Sequence, residues 1–462
     1  MTQKQPQQIT MTSLEKRSIA GLSAIFGFRM LGLFMILPVF SLAAQHEYSD
    51  TTPMLIGLAI GAYGLTQALL QVPFGMLSDR IGRKRVITFG LLLFAAGSIV
   101  AALADSIYIV ILGRLMQGSG AIAAAIMALT ADLTRDDHRT KAMASIGISI
   151  GLSFSIALAA GAALEHWVGL SGIFWLTAIF ALLGIAILHF WIPTPTRCIN
   201  HRDIEPAPQQ ILNVLRNPDI MRMVFSIMLL HMLLTASFFA LPIALQNYAG
   251  LDSSQHGLAY LPILLAAFIC MVPLIIIAEK KRKMKPVFIG AILVLALAQA
   301  GWAFFQHSLS GLLFNLWLFF TAFNILEASL PSLMSKLSPL ENKGTAMGVY
   351  STAQFMGAFL GGLLGGILYT QFNLTGIFIF GSIITLIWAG AMLSMRPPRH
   401  LSSRIIHLET VTKDNVDQIA LQLKSIAGVA EVIVVVEEQV AYLKVISEEI
   451  DTSTLDAFAQ QS

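Results

Sequence analysis

The stretch "GMLSDRIGRKR", residues 75–85, packs four basic residues, one acid and two glycines into a short segment. It lies between the apolar runs 54–77 and 86–104. Each run approaches the ~20 residues that a helix needs to cross a bilayer. A tight charged loop between two such runs belongs at a membrane surface. Working outward, apolar runs recur at 17–44, 107–131, 140–164 and 170–192, then at 221–249, 256–278, 286–306, 309–335, 345–369 and 374–395. Together they make twelve. Composition agrees: 56% of the 462 residues are hydrophobic, 12% are charged, and the mean hydropathy is +0.74, far from a soluble domain. The first run is about twice as long as a signal-peptide apolar region and contains Arg29. It reads as a span, not a cleaved leader.

The formal charge of +3 is sharply partitioned. Both tails and every even-numbered gap between spans carry Lys or Arg, as in Arg80 to Arg85, Arg135 to Lys141 and Lys280 to Lys285. The odd-numbered gaps carry none, and hold Glu47, Asp50, Asp105, Glu165 and Asp252. Basic loops stay in the cytoplasm, so both termini are expected there. These cations sit in short juxtamembrane loops, which argues for contact with the lipid bilayer and against nucleic acid. Cys198 and Cys270 are not expected to form a disulfide in that compartment.

The chain divides into an N-terminal tail (1–16), six spans (17–192), a proline-rich linker (193–220), six more spans (221–395) and a soluble tail (396–462). A short interfacial helix is expected near Ile211 to Arg216. The halves echo each other. "QVPFGMLSDRIGRKRVITFG" (71–90) aligns without gaps on "MVPLIIIAEKKRKMKPVFIG" (271–290), placing Asp79 against Glu279, and "LPVF" (37–40) pairs with "LPIA" (241–244). The common offset of 200 to 204 residues indicates a duplicated six-span unit, an arrangement that many secondary transporters build around a midplane site.

In the tail, "RIIHLE" (404–409) alternates like a strand. Asp414 is placed to cap a helix through Ile426, with Gly428 as its stop. "EVIVVV" and "VAYLKVI" form a hairpin, and a last helix covers about 453–460. This order resembles a ferredoxin-like α+β domain, close to heavy-metal-associated domains, but lacks their cysteine pair. No metal role is carried over. The last 60 residues hold 4 basic and 10 acidic residues, against 25 and 16 elsewhere. An acidic domain beneath a basic rim either docks there, loosening at high salt, or presents a solvated surface.

The opening stretch fits the signature G-x-x-x-D-R-x-G-R-K of the major facilitator superfamily through Gly75, Asp79, Arg80, Gly82, Arg83 and Lys84. With the twelve spans and the half-repeat, residues 17–395 resemble that family throughout. The fold implied is all-α and membrane-embedded: twelve transmembrane helices in two pseudo-symmetric six-helix bundles, followed by the small cytoplasmic domain. Physically the loop is a latch. Gly75 permits close helix approach, and Asp79 suits a helix N-terminus. The resemblance implies that this N-terminus is span 11, near Gly344 to Gly348, and that the latch holds the outward-facing state. Asp132, at the end of span 4, is the candidate partner for Arg83.

"GRLMQGSG" (113–120) resembles the R-x-x-Q-G of the drug:proton antiporter group, with Arg114 and Gln117 three apart on one helix face. Either they serve transport or Arg114 snorkels to the nearby membrane surface. Span 5 should carry glycines ending in Gly-Pro. It keeps Gly147, Gly151 and Gly161 but has no proline. Gly357, Gly361 and Gly365 form a close-packing face in span 11.

An ionisable residue inside a span is a functional candidate by default. Arg29 lies mid-span, either binding an anionic group or countering a carboxylate such as Glu327. Glu327 and Asn324 share a face of span 10, and His231 is near the middle of span 7. Glu327 and His231 are the candidate proton carriers, unless they only make interhelical hydrogen bonds. Gln71 lies in span 2 and Gln354 in span 11. Phe28, Phe34, Met35, Phe238, Phe239 and Phe323 are candidate lining for an amphipathic small-molecule substrate. No nucleophile triad, phosphate loop or metal cluster appears, so no enzyme, cofactor or ATP-driven pump is expected. The resemblance implies proton-coupled efflux from a monomer in a bacterial inner membrane. Proton-coupled import of a small metabolite, or a membrane sensor with a ligand-binding tail, stays open.

Overall fold

The computed structural model describes residues 10–194, 208–339, 343–395, 401–408, 411–412, 415–436, 439–446, 449–450 and 454–455. Cys198, the Asp414 cap and most of the expected last helix lie outside these residues. The first half contains α1 (Ser13–Phe34), α2 (Phe40–Glu47), α3 (Pro53–Ile81), α4 (Arg83–Ala102), α5 (Ile107–Ser119), α6 (Ala123–Asp132) and α7 (Asp136–Ala186). After α8 (Pro208–Arg216), the second half contains α9 (Pro218–Ile243), α10 (His256–Lys280), α11 (Met284–Phe305), α12 (Leu309–Leu337) and α13 (Lys343–Leu393). Helix starts follow local chemistry. Thr12 and Glu15 form a capping box for α1, and Thr52 caps α3 with Pro53 in its first turn. Such side chains satisfy amides that a helix N-terminus leaves open.

Helices α7 and α13 each hold 51 residues. At 1.5 Å per residue each is about 75 Å long, more than twice a bilayer core. Each folds back on itself where the backbone turns left-handed, at Gly169 (φ 67°) and Asn373 (φ 58°). Each therefore supplies two spans, and the count of twelve holds. The two turns are 204 positions apart. The loops after spans 2 and 8 likewise turn at Gly82 (φ 100°) and Arg282 (φ 54°), 200 apart. The repeat seen in the sequence is thus repeated in the backbone.

Two spans depart from the continuous helices expected. Span 1 breaks between α1 and α2 around Pro38, whose ring cannot donate the amide bond a helix interior needs. Span 4 breaks between α5 and α6 at Gly120 to Ile122. The interfacial helix appears as α8, starting three residues earlier than the segment named from sequence.

The two halves meet tightly at one end of the bundle, opposite the basic loops. There Gly57, Gly61 and Gly64 of span 2 lie against the backbone of Phe355, Phe359, Gly362 and Gly366 of span 11. A methyl on Gly61 would sit 2.6 Å from the Phe359 carbonyl oxygen. Gly257 of span 8 touches the Ala159 carbonyl of span 5 in the same way. Toward the basic end, Gly147 and Gly151 of span 5 have nothing within 4 Å of a Cβ position, and Gly348 of span 11 meets only Val72 at 3.8 Å. The halves press backbone on backbone at the far end and touch only loosely, as at Gly348 and Val72, toward the basic end.

The tail holds β1 (Leu401–His407), α14 (Val416–Ser425), β2 (Val429–Val435) and β3 (Val440–Ile446). Among the described residues the sheet is antiparallel in the order β1-β3-β2, the order these three strands take in a ferredoxin-like sheet. Leu408, Leu423, Leu443 and Val445 anchor its core. Lys444, 2% exposed, reaches out of β3 to the carbonyls of Lys336 (3.2 Å) and Ser338 at the end of span 10. The tail does dock. It does so through one buried lysine on a helix C-terminus, where a cation meets unpaired carbonyls.

Candidate functional site

The clasp is built by Gly82, whose positive φ lets α3 end and α4 begin within one residue. Arg83 then bonds Asp79, Ser78 Oγ at 2.8 Å and Asp132 at 3.3 Å. The Arg83–Asp132 pair expected from sequence is therefore present. A methyl on Gly75 would sit 3.3 Å from Ala124 Cβ of α6, so span 2 packs closely on span 4. Lys84 bonds the Ile192 carbonyl at 2.6 Å, and Arg80 is exposed. Asp79 departs from expectation. Among the described residues its partner is Arg83, not the amides of Gly344 to Gly348. At this end spans 2 and 11 touch only loosely, and no bond from span 11 reaches the clasp among the described residues.

A second cluster sits inside the first half. Gly118 brings α5 against the Tyr63 carbonyl, and Gly120 rests on the Gly90 carbonyl. This close approach places Arg114 and Tyr63 together. Arg29 donates from Nη2 to Tyr63 Oη (2.6 Å), Gln67 Oε1 (2.6 Å) and the Gly120 carbonyl (3.1 Å) that the break in span 4 exposes. Gln67 donates in turn to Gln71 at 2.7 Å. Arg114 bonds Gln117 at 2.8 Å, as their spacing predicts, and Gln117 donates to Ser98. Both guanidinium groups lie over the Tyr63 ring, at 5.8 and 5.3 Å. Arg114 is 2% exposed and held by the Ala59 and Ile60 carbonyls, so it does not snorkel.

The third cluster is in the second half. His231 Nε2 lies 2.8 Å from Gln354 Nε2 and 3.9 Å from Glu327 Oε2, and Gln354 reaches Glu327 Oε1 at 3.5 Å. His231 Nδ1 lies 3.3 Å from the Ile227 carbonyl, which can only accept, so Nδ1 carries the proton. The Glu327 side chain is 37% accessible although it is mid-span, while its Oε2 is buried and makes no hydrogen bond among the described residues. Asn324 makes no hydrogen bond among the described residues.

Tyr63 packs edge-on against Phe355 (6.3 Å), the neighbour of Gln354, and so joins the two clusters across the halves. Beside them Phe154 of span 5 meets Phe34, Phe320 and Phe323 at 4.9 to 6.4 Å. Of the candidate lining, Phe34 and Phe323 belong to this aromatic roof, and Phe28 stacks on Phe180. Met35, Phe238 and Phe239 are buried packing residues, as is Phe323 within the roof. Sequence reading missed Tyr63, Gln67, Ser98 and Gly120. Tyr63, Gln67 and Gln71 recur every four residues, a polar stripe on one face of span 2 that periodicity exposes.

Comparison with known proteins agrees with this architecture. The inner membrane transport protein YajR of Escherichia coli is 44% identical over 435 residues, 94% of this chain and 95% of that one. Multidrug resistance protein 2 of Bacillus subtilis is 26% identical, over 78% of this chain and 90% of that protein. The crystal structure of a bacterial homologue of the human lysosomal transporter Spinster, inward-facing and occupied, superposes with a TM-score of 0.68 at 14% identity, covering 83% of this chain and 97% of that one. The family model for the Major Facilitator Superfamily matches residues 22–361 and 285–428. A twelve-span bundle of duplicated halves, signed by the clasp at 75–85, thus belongs to the Major Facilitator Superfamily, whose members are transporters and not enzymes.

Proposed function

We propose that this chain exports small amphipathic compounds across a bacterial inner membrane in exchange for protons, as a monomer with both termini cytoplasmic. The observation that carries the reading is the Glu327–His231–Gln354 cluster, a lone membrane-depth carboxylate whose Oε2 is buried without a hydrogen-bond partner. A carboxylate there has few partners besides a proton. With the basic end in the cytoplasm, the closed far end makes the structure inward-open. In that state the Asp79 clasp is confined to its own half, and rocking the halves would bring span 11 to it. The similarity to a multidrug resistance protein supports amphipathic substrates.

The test uses everted membrane vesicles holding a proton gradient, read by a quenched pH dye. Selected amphiphiles should dequench the dye, and Glu327→Gln should abolish the response while leaving the protein folded. Silence across cationic, neutral and anionic compounds would overturn the reading. The missing proline in span 5 favours one other reading, proton-coupled import. Whole-cell uptake abolished by an uncoupler would decide for it.

A further inference from the structure

The first half carries two membrane-depth cations and no membrane-depth acid. Its acids lie at span ends and in loops: Glu15, Glu47, Asp50, Asp79, Asp105, Asp132, Asp136, Asp137 and Glu165. Among the described residues no carboxylate comes within 4.0 Å of Arg29 or Arg114. A guanidinium keeps its charge under any physiological condition, and a buried charge without a counter-ion is costly.

The two arginines meet that cost differently. Arg114 spreads its donors over Gln117 and two backbone carbonyls. Arg29 directs every recorded bond from one nitrogen, Nη2. Its Nε and Nη1 are buried and have no partner, which leaves three of its five N–H donors unmatched. The rings of Tyr63 and Phe94, in edge contact with each other, lie 5.8 and 5.9 Å from the Arg29 guanidinium. Tyr63 in turn packs on Phe355 of the other half, so movement between the halves shifts the residue that covers Arg29.

We infer that Arg29 is the receptor for a carboxylate, and that the compounds carried include amphipathic organic acids, an anionic head on an aromatic or aliphatic body. The unmatched donors supply charge-assisted bonds to the head. Phe94, Tyr63 and the roof of Phe34, Phe154 and Phe323 accept the body. The inference rests on the transporter reading. One other carboxylate has the same chemistry, that of Glu327 in the facing half.

The experiment is thermal unfolding of the purified full-length protein with three aromatic scaffolds, each offered as carboxylic acid, primary amide and amine. At least one acid should raise the unfolding temperature saturably by several degrees, and its amide and amine should not. The comparison is made on the wild type, so it does not depend on a variant folding. Arg29→Gln should remove the response. Arg29→Lys, keeping the charge without the fork, should weaken binding about tenfold or more. Equal binding of amide or amine, no response to any acid, or an acid response that survives Arg29→Gln, overturns the inference. Acid binding that emerges only in Glu327→Gln identifies Glu327 as the resident carboxylate and overturns the substrate class. Arg29-dependent acid binding without flux in vesicles would sink proton-coupled export and leave this site standing. Proton-coupled flux of amines alone would do the reverse.

Discussion

Arg83 shows what one side chain does at the basic end. It is 4% exposed and shared between Asp79 on its own side and Asp132 on span 4, whose side chain is fully buried. The guanidinium therefore ties the end of span 2 to the end of span 4, and it fills the turn that Gly82 makes. Removing one member of a buried ion pair costs about 3–5 kcal/mol. Asp79 is partly open to solvent, so Arg83→Ala is expected near the lower figure, about 3 kcal/mol. Arg83→Lys should fall between, because an ammonium cannot serve both carboxylates with a planar fork. Denaturant unfolding in detergent measures both. A change under about 0.5 kcal/mol, the range of an ordinary surface substitution, would show that the clasp does not hold the bundle. The pairing was readable because both residues sit at predictable span ends. The Arg29 cluster was legible only in the four-residue stripe of Tyr63 and Gln67, since a linear pattern marks the polar face of span 2 but not which helix it meets, nor the carbonyl that a break in span 4 frees.

At the scale of elements, the breaks in spans 1 and 4 matter more than the spans. An apolar run looks the same whether its helix is whole or broken, so 17–44 and 107–131 read as continuous. Pro38 marks the first break. Gly118 and Gly120 mark the second, and there the freed Gly120 carbonyl finds Arg29. The tail makes a comparable contact on span 10, whose last carbonyls receive Lys444. Burial lowers the pKa of that ammonium, and Glu431 at 3.6 Å partly offsets the effect. A cation in partly buried contact with a helix C-terminus contributes up to ~2 kcal/mol. Lys444→Ala is therefore expected to open the tail roughly 5- to 30-fold more often. Hydrogen exchange across β3, or the rate of tail cleavage by protease, reads this. The contact is buried and made to dipoles, so salt should change it little, unlike an acidic face on a basic rim. A strong salt effect in the wild type, unchanged in Lys444→Ala, would move the docking site elsewhere.

Across the whole molecule, closure at the far end brings acids of one half against the other. A cavity of about 250 Å³ there is lined by His46, Glu47 and Glu165 of the first half and by Gln246 and Ser253 of the second. His166 neighbours Glu165 at the end of span 5, and His166 and Asp252 act electrostatically on Glu165, and His256 on Asp252. Burial, and then the neighbouring Glu165 carboxylate, push the Glu47 pKa above its ordinary value. Opening the far end to water removes both causes. The sign follows from linkage. A raised acid pKa in the closed state means that closure is favoured while Glu47 is protonated, and that this contribution is lost as pH rises through the raised value. Acidifying the far side should therefore favour the state seen here. Each unit of pKa difference between the two states changes their ratio by at most about tenfold. Spin labels at Trp167→Cys and Leu258→Cys, both 77% exposed at the far end of opposite halves, report the gap once Cys198 and Cys270 are replaced. The long-distance population should grow between pH 5.5 and pH 8. In Glu47→Gln, which mimics the protonated acid, it should stay lower and change less with pH, the remainder coming from Glu165, whose pKa burial also raises. A flat response in the wild type, or an unchanged one in Glu47→Gln, would remove Glu47 from the gate and leave far-end closure to the glycine seam of spans 2 and 11.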